Sequence, residues 1–436
     1  MRALGNAIHI LWVGFVLVGF GLFYGLGRLF ILMGLGWSGA RRRRAVARWK
    51  AWNLRLLLEA LGATFIKMGQ VMSTRPDLLA PETIAQLKRL QDRLPAFSFA
   101  RARKTIEEDT GKRLEETYQE FDEQPVAAAS VAQVHRARLR GGREVAVKIL
   151  RPSIRRQVER DAAMLLSIAR MIAWNKTWRL SDPVGHTRHF VDAIRDQTDL
   201  RIEGTNYQRF HANFARDAKV RFPEILEPST ERILTMEFVR GTKIDAQPEP
   251  RRKPLAATVR GVMMKMCFED GFLHADMHPG NMVVDDEARL VLFDVGLAKL
   301  LHEDVLLQFI DMGKCLTMGT PDDLVNHLKR FHTYIDGVHW DELRAALEVF
   351  ALEHRARDAA TLDYGAMFNE LFAIGRRYHV RPVTDLTLVL VAMVTSQGIG
   401  AMLDPGVNVF SEVARYLVPI LMKRNESIPV TAPASA

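Results

Sequence analysis

Cysteine is scarce in this sequence, with only Cys267 and Cys315 among 436 residues. Both lie in apolar or mixed contexts without metal-ligand spacing, which argues against a disulfide scaffold and a zinc site and fits a reducing compartment. Acidic residues are fewer than basic ones, 51 against 60, for a formal charge of +9. That deficit implies an acidic partner, either an anionic membrane surface or nucleic acid. There is no internal repeat, which excludes a repeat array. No amphipathic, Arg-rich, acid-poor presequence precedes the first apolar run, so a bacterial cytoplasmic (inner) membrane is the expected location.

That apolar run, Ile8 to Gly27, is interrupted only by His9 and is long enough to cross a hydrocarbon core as a helix. After Arg28 a second apolar stretch reaches Trp37, so the pair either spans the bilayer or bends within it. The block Arg41 to Arg44, with Arg48 and Lys50, favours a membrane over nucleic acid and predicts that everything downstream stays cytoplasmic. Ser38-Gly39-Ala40 resembles a signal-cleavage site, but the apolar region is too long and the basic block would resist export.

Helical spacing predicts one helix over Trp49 to Ser73, carrying Lys67 and Gln70 on one face, then helices over Pro81 to Arg93 and Ala100 to Phe121. From Pro125 the pattern turns to strands. A loop containing Ala127, Ala128, Ala129 and Ser130 leads into a strand, the turn Arg140 to Arg143, and a second strand that carries Lys148. Helices follow over Ser153 to Asn175 and Val184 to Phe214. Then come a short strand ending near Glu237 to Val239, and a helix over Leu255 to Gly271. From His302 to Phe410 the pattern is nearly all helical, with Leu386 to Leu403 read as a buried helix, and the tail from Glu426 is expected to be disordered.

The chemistry concentrates in Phe272 to Gly296. Asp276 precedes Asn281 by five residues, and Asn281 precedes Asp294 by thirteen. Met282 to Val284 and Leu290 to Phe293 read as a hairpin that turns Asp294 back toward the other two. Two carboxylates and an amide oxygen suit Mg²⁺ carrying phosphates. The order matches the protein-kinase signature: a catalytic-loop Asp, a metal-binding Asn, then a metal-binding Asp before Gly. On that reading Lys148 contacts nucleotide phosphates and Glu203 is its candidate partner. Glu237 to Val239 form the adenine hinge, and the alanine loop stands where a kinase carries glycines, restricting positive φ beside the phosphates.

Together FIKMGQVMSTRPDLLAPE, LQDRLP, PVAAASVAQVHRA, VAVKILRP, FLHADMHPGN and FDVG are specific, and through them the chain resembles the UbiB family of atypical protein-kinase-like proteins, associated with ubiquinone biosynthesis and lipid homeostasis. The resemblance runs from about Leu61 to Arg415. It implies an α+β, two-lobed protein-kinase-like fold with a helical extension and a membrane anchor. By position Lys148, Glu203 and Asp276 take catalytic roles, Ala127 to Ser130, Lys148, Glu237 and Val239 bind ATP, and Asn281 and Asp294 hold Mg²⁺. Lys67 and Gln70 belong to a regulatory helix lying over the active site. Gln197-Thr198-Asp199 replaces the family's Glu-x-Asp, which weakens the expected pairing of that helix with the core. Val295 replaces the usual aromatic, and the anchor lies at the other end from members with C-terminal helices.

The expected organisation is an anchor (1–40), a helical extension (41–121), an N-lobe (122–241), a C-lobe (242–425) and a tail (426–436). The function implied by the resemblance is that of a membrane-bound, Mg²⁺-dependent ATPase or phosphotransferase supporting ubiquinone biosynthesis. Its partners would be ATP, anionic lipids, quinone precursors and quinone-biosynthesis proteins, with no nucleic acid. Two alternatives remain open: a non-catalytic nucleotide- and lipid-binding scaffold, and a true protein kinase.

Overall fold

The computed structural model describes residues 2–33, 38–73, 79–90, 95–174, 183–317, 319–334, 337–355, 364–382, 389, 395–396, 398–400, 402–404 and 416. The expected tail, residues 74–78 and 91–94 of the family motifs, and most of 386–403 lie outside them. Within that last stretch Val389, Ile399 and Leu403 are buried. The chain divides into two compact units: Met1–Ala212 with Phe222–Val239 and Asp294–Leu297, and Asn213–Arg221 with Arg240–Phe293 and Ala298–Ala436.

In the first unit α1 (Arg2–Met33) is continuous, and α2 (Gly39–Leu61) and α3 (Ala63–Ser73) divide the single helix expected over 49–73. The break is Gly62, at φ +98°, a conformation that glycine adopts without a Cβ clash. The short α4 (Pro81–Leu87) and α5 (Phe99–Thr110) follow. The helix expected over 100–121 stops at Thr110, and its end forms β1 (Tyr118–Phe121) instead. Pairing with a distant strand decides this: β1 runs antiparallel to β3 (Ala132–Leu139), with Phe121 opposite Ala137. Two further strands complete this stretch, β2 (Ala127–Ala128) and β4 (Glu144–Leu150).

Helices α6 (Ile154–Ala173), α7 (Pro183–Asp196) and α8 (Leu200–Phe214) come next. The helix expected over 184–214 is thus split at Gln197-Thr198-Asp199, where the Asp199 carboxylate accepts the Arg201 N–H at 3.1 Å as a cap. Strands β5 (Ile225–Leu226) and β6 (Ile233–Glu237) complete a sheet in the order β1-β3-β4-β6-β5, with β2 also paired to β3. Alternation on β4 sends Val145, Val147 and Ile149, all fully buried, onto Ala102 and Ile106 of α5. Each contributes about 1.5–3 kcal/mol of apolar burial. The same alternation turns Lys148 to the opposite face.

In the second unit α9 (Glu249–Phe268) precedes β7 (Phe272–His274). The expected hairpin is β8 (Met282–Val284) against β9 (Leu290–Leu292), with Val283 opposite Val291. Strand β10 (Ala298–Leu300) pairs back onto β7. Helices α10 (Glu303–Thr317), α11 (Pro321–Phe331), α12 (Trp340–Arg355) and α13 (Tyr364–Arg377) follow. The region from 302 is not wholly helical. β11 (His332–Tyr334) pairs with β12 (Val380–Pro382) across a long sequence separation that local patterning cannot register.

Candidate nucleotide site

Three side chains singled out in the sequence meet in the first unit. Lys148 Nζ donates to both carboxylate oxygens of Glu203 at 2.8 Å and to Asp294 Oδ1 at 2.9 Å. The Lys148 and Glu203 side chains are 12% and 5% exposed, whereas that of Asp294 is 49% exposed. Burial by itself would push Lys148 toward neutrality. The carboxylates of Asp294 and Glu203 outweigh it and hold the ammonium above its ordinary range. The site therefore keeps one largely buried cation beside one solvent-facing carboxylate.

Asp294 sits at φ +52°, in the left-handed region that few non-glycine residues adopt. The conformation costs on the order of 1 kcal/mol and needs support from its surroundings. That support comes from α8: Asp294 N–H donates to the Tyr207 hydroxyl at 3.0 Å, and Asn206 Nδ2 donates to Val295 O at 2.9 Å. Sequence reasoning missed both residues. The signal was present in their spacing, since they lie three and four positions after Glu203 and share its helix face. Gly296 closes the group, because a Cβ there would come within 3.4 Å of Glu203 Oε2.

Lys67 is buried on α3, and its positive charge opposes the upward push that burial exerts on the Glu203 carboxyl. Helix α3 packs on α6 and α7, and the Thr64 hydroxyl donates to Asp161 of α6 at 2.5 Å. Gln70 donates to Leu90 O at 3.4 Å. Gln197 lies at the α7–α8 break, and Asp199 turns to Arg201, 2.6 Å away.

The alanine loop is a closed hairpin. Val126 N–H donates to Val134 O and Ala129 N–H to Ala132 O, each at 2.8 Å. Ala127, Ala128, Ala129 and Ser130 all have negative φ. Arg151 clamps the turn, donating from Nε to Ala129 O at 2.9 Å and from Nη2 to Pro95 O at 3.0 Å. Beside it the buried Gln133 amide bonds the Phe97 backbone and His135. In the expected hinge Glu237 N–H donates to Glu224 O at 2.8 Å, and Glu237 and Val239 are half-buried.

In the second unit Asp276 and Asn281 share one loop, where Asn281 Nδ2 donates to Asp276 O at 3.2 Å. The amide oxygen is then the end left to receive a cation. Asp276 N–H donates to His274 Nδ1 at 3.2 Å, so the ring proton sits on Nε2, which donates to Phe293 O at 3.2 Å. Phe293 N–H in turn donates to Asn281 O at 2.9 Å. Fully buried His274 thus ties the loop to the end of β9.

Residues 89–323 match the family model described as the ABC1 atypical kinase-like domain, and residues 349–408 match the UbiB helical domain. The chain belongs to the ABC1/UbiB atypical kinase-like family. A probable protein kinase UbiB of Marinobacter nauticus is 30% identical, over 85% of this chain and 70% of that protein. The chloroplast protein Activity of bc1 complex kinase 7 of Arabidopsis thaliana is 31% identical over 87% of this chain, which spans 55% of the plant protein. Among solved structures, the Rv3197–erythromycin complex from Mycobacterium tuberculosis aligns with a TM-score of 0.50 at 18% identity, covering 77% of this chain and 87% of that one. This ABC1/UbiB chain is therefore an α+β protein with a kinase-like fold. One helix of the described residues, over Gly14–Met33, is long and apolar enough to cross a membrane.

Proposed function

We propose that this ABC1/UbiB chain is a membrane-anchored ATPase or small-molecule phosphotransferase that binds Mg²⁺–ATP and supports ubiquinone biosynthesis. The observation that carries the reading is the Lys148 ammonium held by buried Glu203 while also touching the solvent-facing Asp294. A lysine so held can meet phosphate oxygens without reorganising. The donors fit the cation as well: the Asp294 carboxylate and the amide oxygen of Asn281 are the hard oxygens that Mg²⁺ favours. Magnesium would neutralise charge on the transferring phosphoryl group. In this scheme Lys148 binds phosphate, Glu203 keeps it extended, and Asp276 orients the nucleophile.

The alanine hairpin favours a second reading, a nucleotide-sensing scaffold. Its Val126 and Ala129 amides are spent on its own strands rather than on phosphate. The two readings separate in one experiment, ATP binding and turnover by the full chain and by Asp294→Asn and Asp276→Asn, with and without anionic liposomes and phenolic quinone precursors. The enzyme reading expects Asp294→Asn to abolish Mg²⁺–ATP binding or turnover and Asp276→Asn to remove turnover. Binding without turnover in the unmodified chain favours the scaffold, and unchanged activity in Asp294→Asn sinks the enzyme.

The anchor reading rests on α1, whose Phe15, Val18, Leu22, Leu26 and Phe30 are all exposed. Trp49 and Trp52 of α2 pack on Phe23 at centroid separations of 5.1 and 6.0 Å, and Trp49 Nε1 donates to Tyr24 O at 3.1 Å. The apolar stretch Gly14–Met33 measures roughly 30 Å at 1.5 Å per residue, about one hydrocarbon thickness.

A further inference from the structure

Away from the nucleotide site, helices α10 and α11 of the second unit bring together a thiol, an imidazole and a carboxylate. Asp311 and Cys315 lie one turn apart on α10, and His327 faces them from α11; one ligand atom from each lies within 4.8 Å of the others. His327 Nδ1 and Asp311 Oδ2 are 2.7 Å apart. The His327 side chain is fully buried, yet its Nε2 has no hydrogen-bond partner among the described residues. Nδ1 of His332, whose ring centroid is 5.3 Å from that of His327, has none either. A buried ring nitrogen without a partner is costly, so hydrogen bonds alone do not satisfy the His327 imidazole.

We propose that Asp311, Cys315 and His327 form a site for a zinc-class divalent cation. Sulfur with nitrogen selects Zn²⁺ or Co²⁺ over Mg²⁺, which takes oxygen ligands. Three protein ligands leave one tetrahedral position open. Bound ligand atoms stand about 3.3–3.6 Å apart around such an ion, so the three side chains would draw closer on binding, with the Cys315 thiol leaving the Asp323 carbonyl it meets at 3.6 Å. A capping box fixes the start of α11, with Asp323 N–H donating to the Thr320 hydroxyl at 3.2 Å. Sequence spacing hid the site because its ligands come from two helices rather than from one short motif.

The test uses the full-length chain in detergent, titrated with Co²⁺ and then Zn²⁺. The expected result is one equivalent of Co²⁺ with a thiolate-to-cobalt charge-transfer band, displaced by Zn²⁺. Cys315→Ser should remove the band, His327→Asn should weaken Zn²⁺ binding by about 100-fold or more, and Cys267→Ser should leave both unchanged. Zn²⁺ should raise the melting temperature equally in the unmodified chain and in Asp294→Asn, which separates this site from the nucleotide site. Far-ultraviolet circular dichroism checks that each variant folds, and Asp311→Asn replaces any that does not. Absence of the band, a band that survives in folded Cys315→Ser, or Zn²⁺ affinity unchanged in folded His327→Asn or Asp311→Asn would overturn the proposal.

Discussion

The Tyr207 hydroxyl accepts the backbone N–H of Asp294 at 3.0 Å, although the two residues are 87 apart in sequence. Tyr207 is fully buried on the helix that carries Glu203, so one element sets both the carboxylate that holds Lys148 and the backbone of the carboxylate beside it.

Tyr207→Phe keeps the ring and deletes that acceptor, leaving the Asp294 N–H without its partner. The expected loss is about 1–2 kcal/mol of stability, read from the midpoint of urea unfolding, together with several-fold weaker Mg²⁺–ATP binding. Identical unfolding midpoints and binding curves for the two proteins would show that the hydroxyl does not organise Asp294.

Glu203→Gln leaves Lys148 buried with only Asp294 as an anionic partner. Removing one member of a buried pair costs roughly 3–5 kcal/mol, and the retained amide oxygen should place the loss at the low end. ATP affinity is expected to fall at least tenfold, measured by isothermal titration. If Lys148→Met matches the unmodified protein in affinity, the phosphate role of the lysine is wrong.

Ala129→Gly opens positive φ to the turn whose carbonyl Arg151 clamps. Faster hydrogen exchange over residues 126–132 and a changed ATP affinity are expected, and Arg151→Met should loosen the same turn. Exchange rates that do not move in either variant would refute the clamp.

His135 is fully buried, and burial lowers its basicity below the ordinary 6.5; its Nδ1–H donates to Asp122 O at 2.8 Å, and Nε2 accepts from Gln133. A histidine with a depressed folded value contributes stability that is complete above pH 6.5 and lost as pH falls below it toward the folded value. Melting temperatures measured between pH 7.5 and 5 should therefore fall toward acid, with a shallower slope in His135→Gln. Equal slopes would assign the acid sensitivity elsewhere.

In the pair of helices α1 and α2, Trp49→Ala removes the ring packed on Phe23 and opens space at Gly27. Liposome flotation should show weaker binding that also becomes more sensitive to salt, as Arg41 to Arg44 carry more of the attachment. A chain lacking residues 1–40 that floats as well as the full chain at high salt would move the anchor out of α1.

Elements whose evidence is local were legible in the chain. Alternation across Val145 to Val147 set the strand period that Lys148 ends, and the apolar runs Met282 to Val284 and Leu290 to Phe293 around a polar turn gave the hairpin. The long apolar run likewise announced α1. Tyr118 to Phe121 could not be read the same way, because a helical and an extended tetrapeptide look alike until β3 supplies hydrogen-bond partners. The breaks at Gly62 and at Gln197 to Asp199 depend on single backbone torsions and caps that a periodic pattern averages away.

Sequence by itself determined which groups this protein has to work with: a strand lysine, its candidate glutamate, a loop aspartate and asparagine, a second aspartate, and a basic, aromatic helix after an apolar one. Family motifs and side-chain periodicity carry that much because both are properties of neighbours along the chain. Only tertiary structure decided that Tyr207 and Asn206 support Asp294 in a left-handed conformation, that Arg151 closes the alanine turn, and that Asp311, Cys315 and His327 meet. Each is a contact between distant segments, set by how buried faces pack and how buried polar atoms find partners, and no local pattern encodes it.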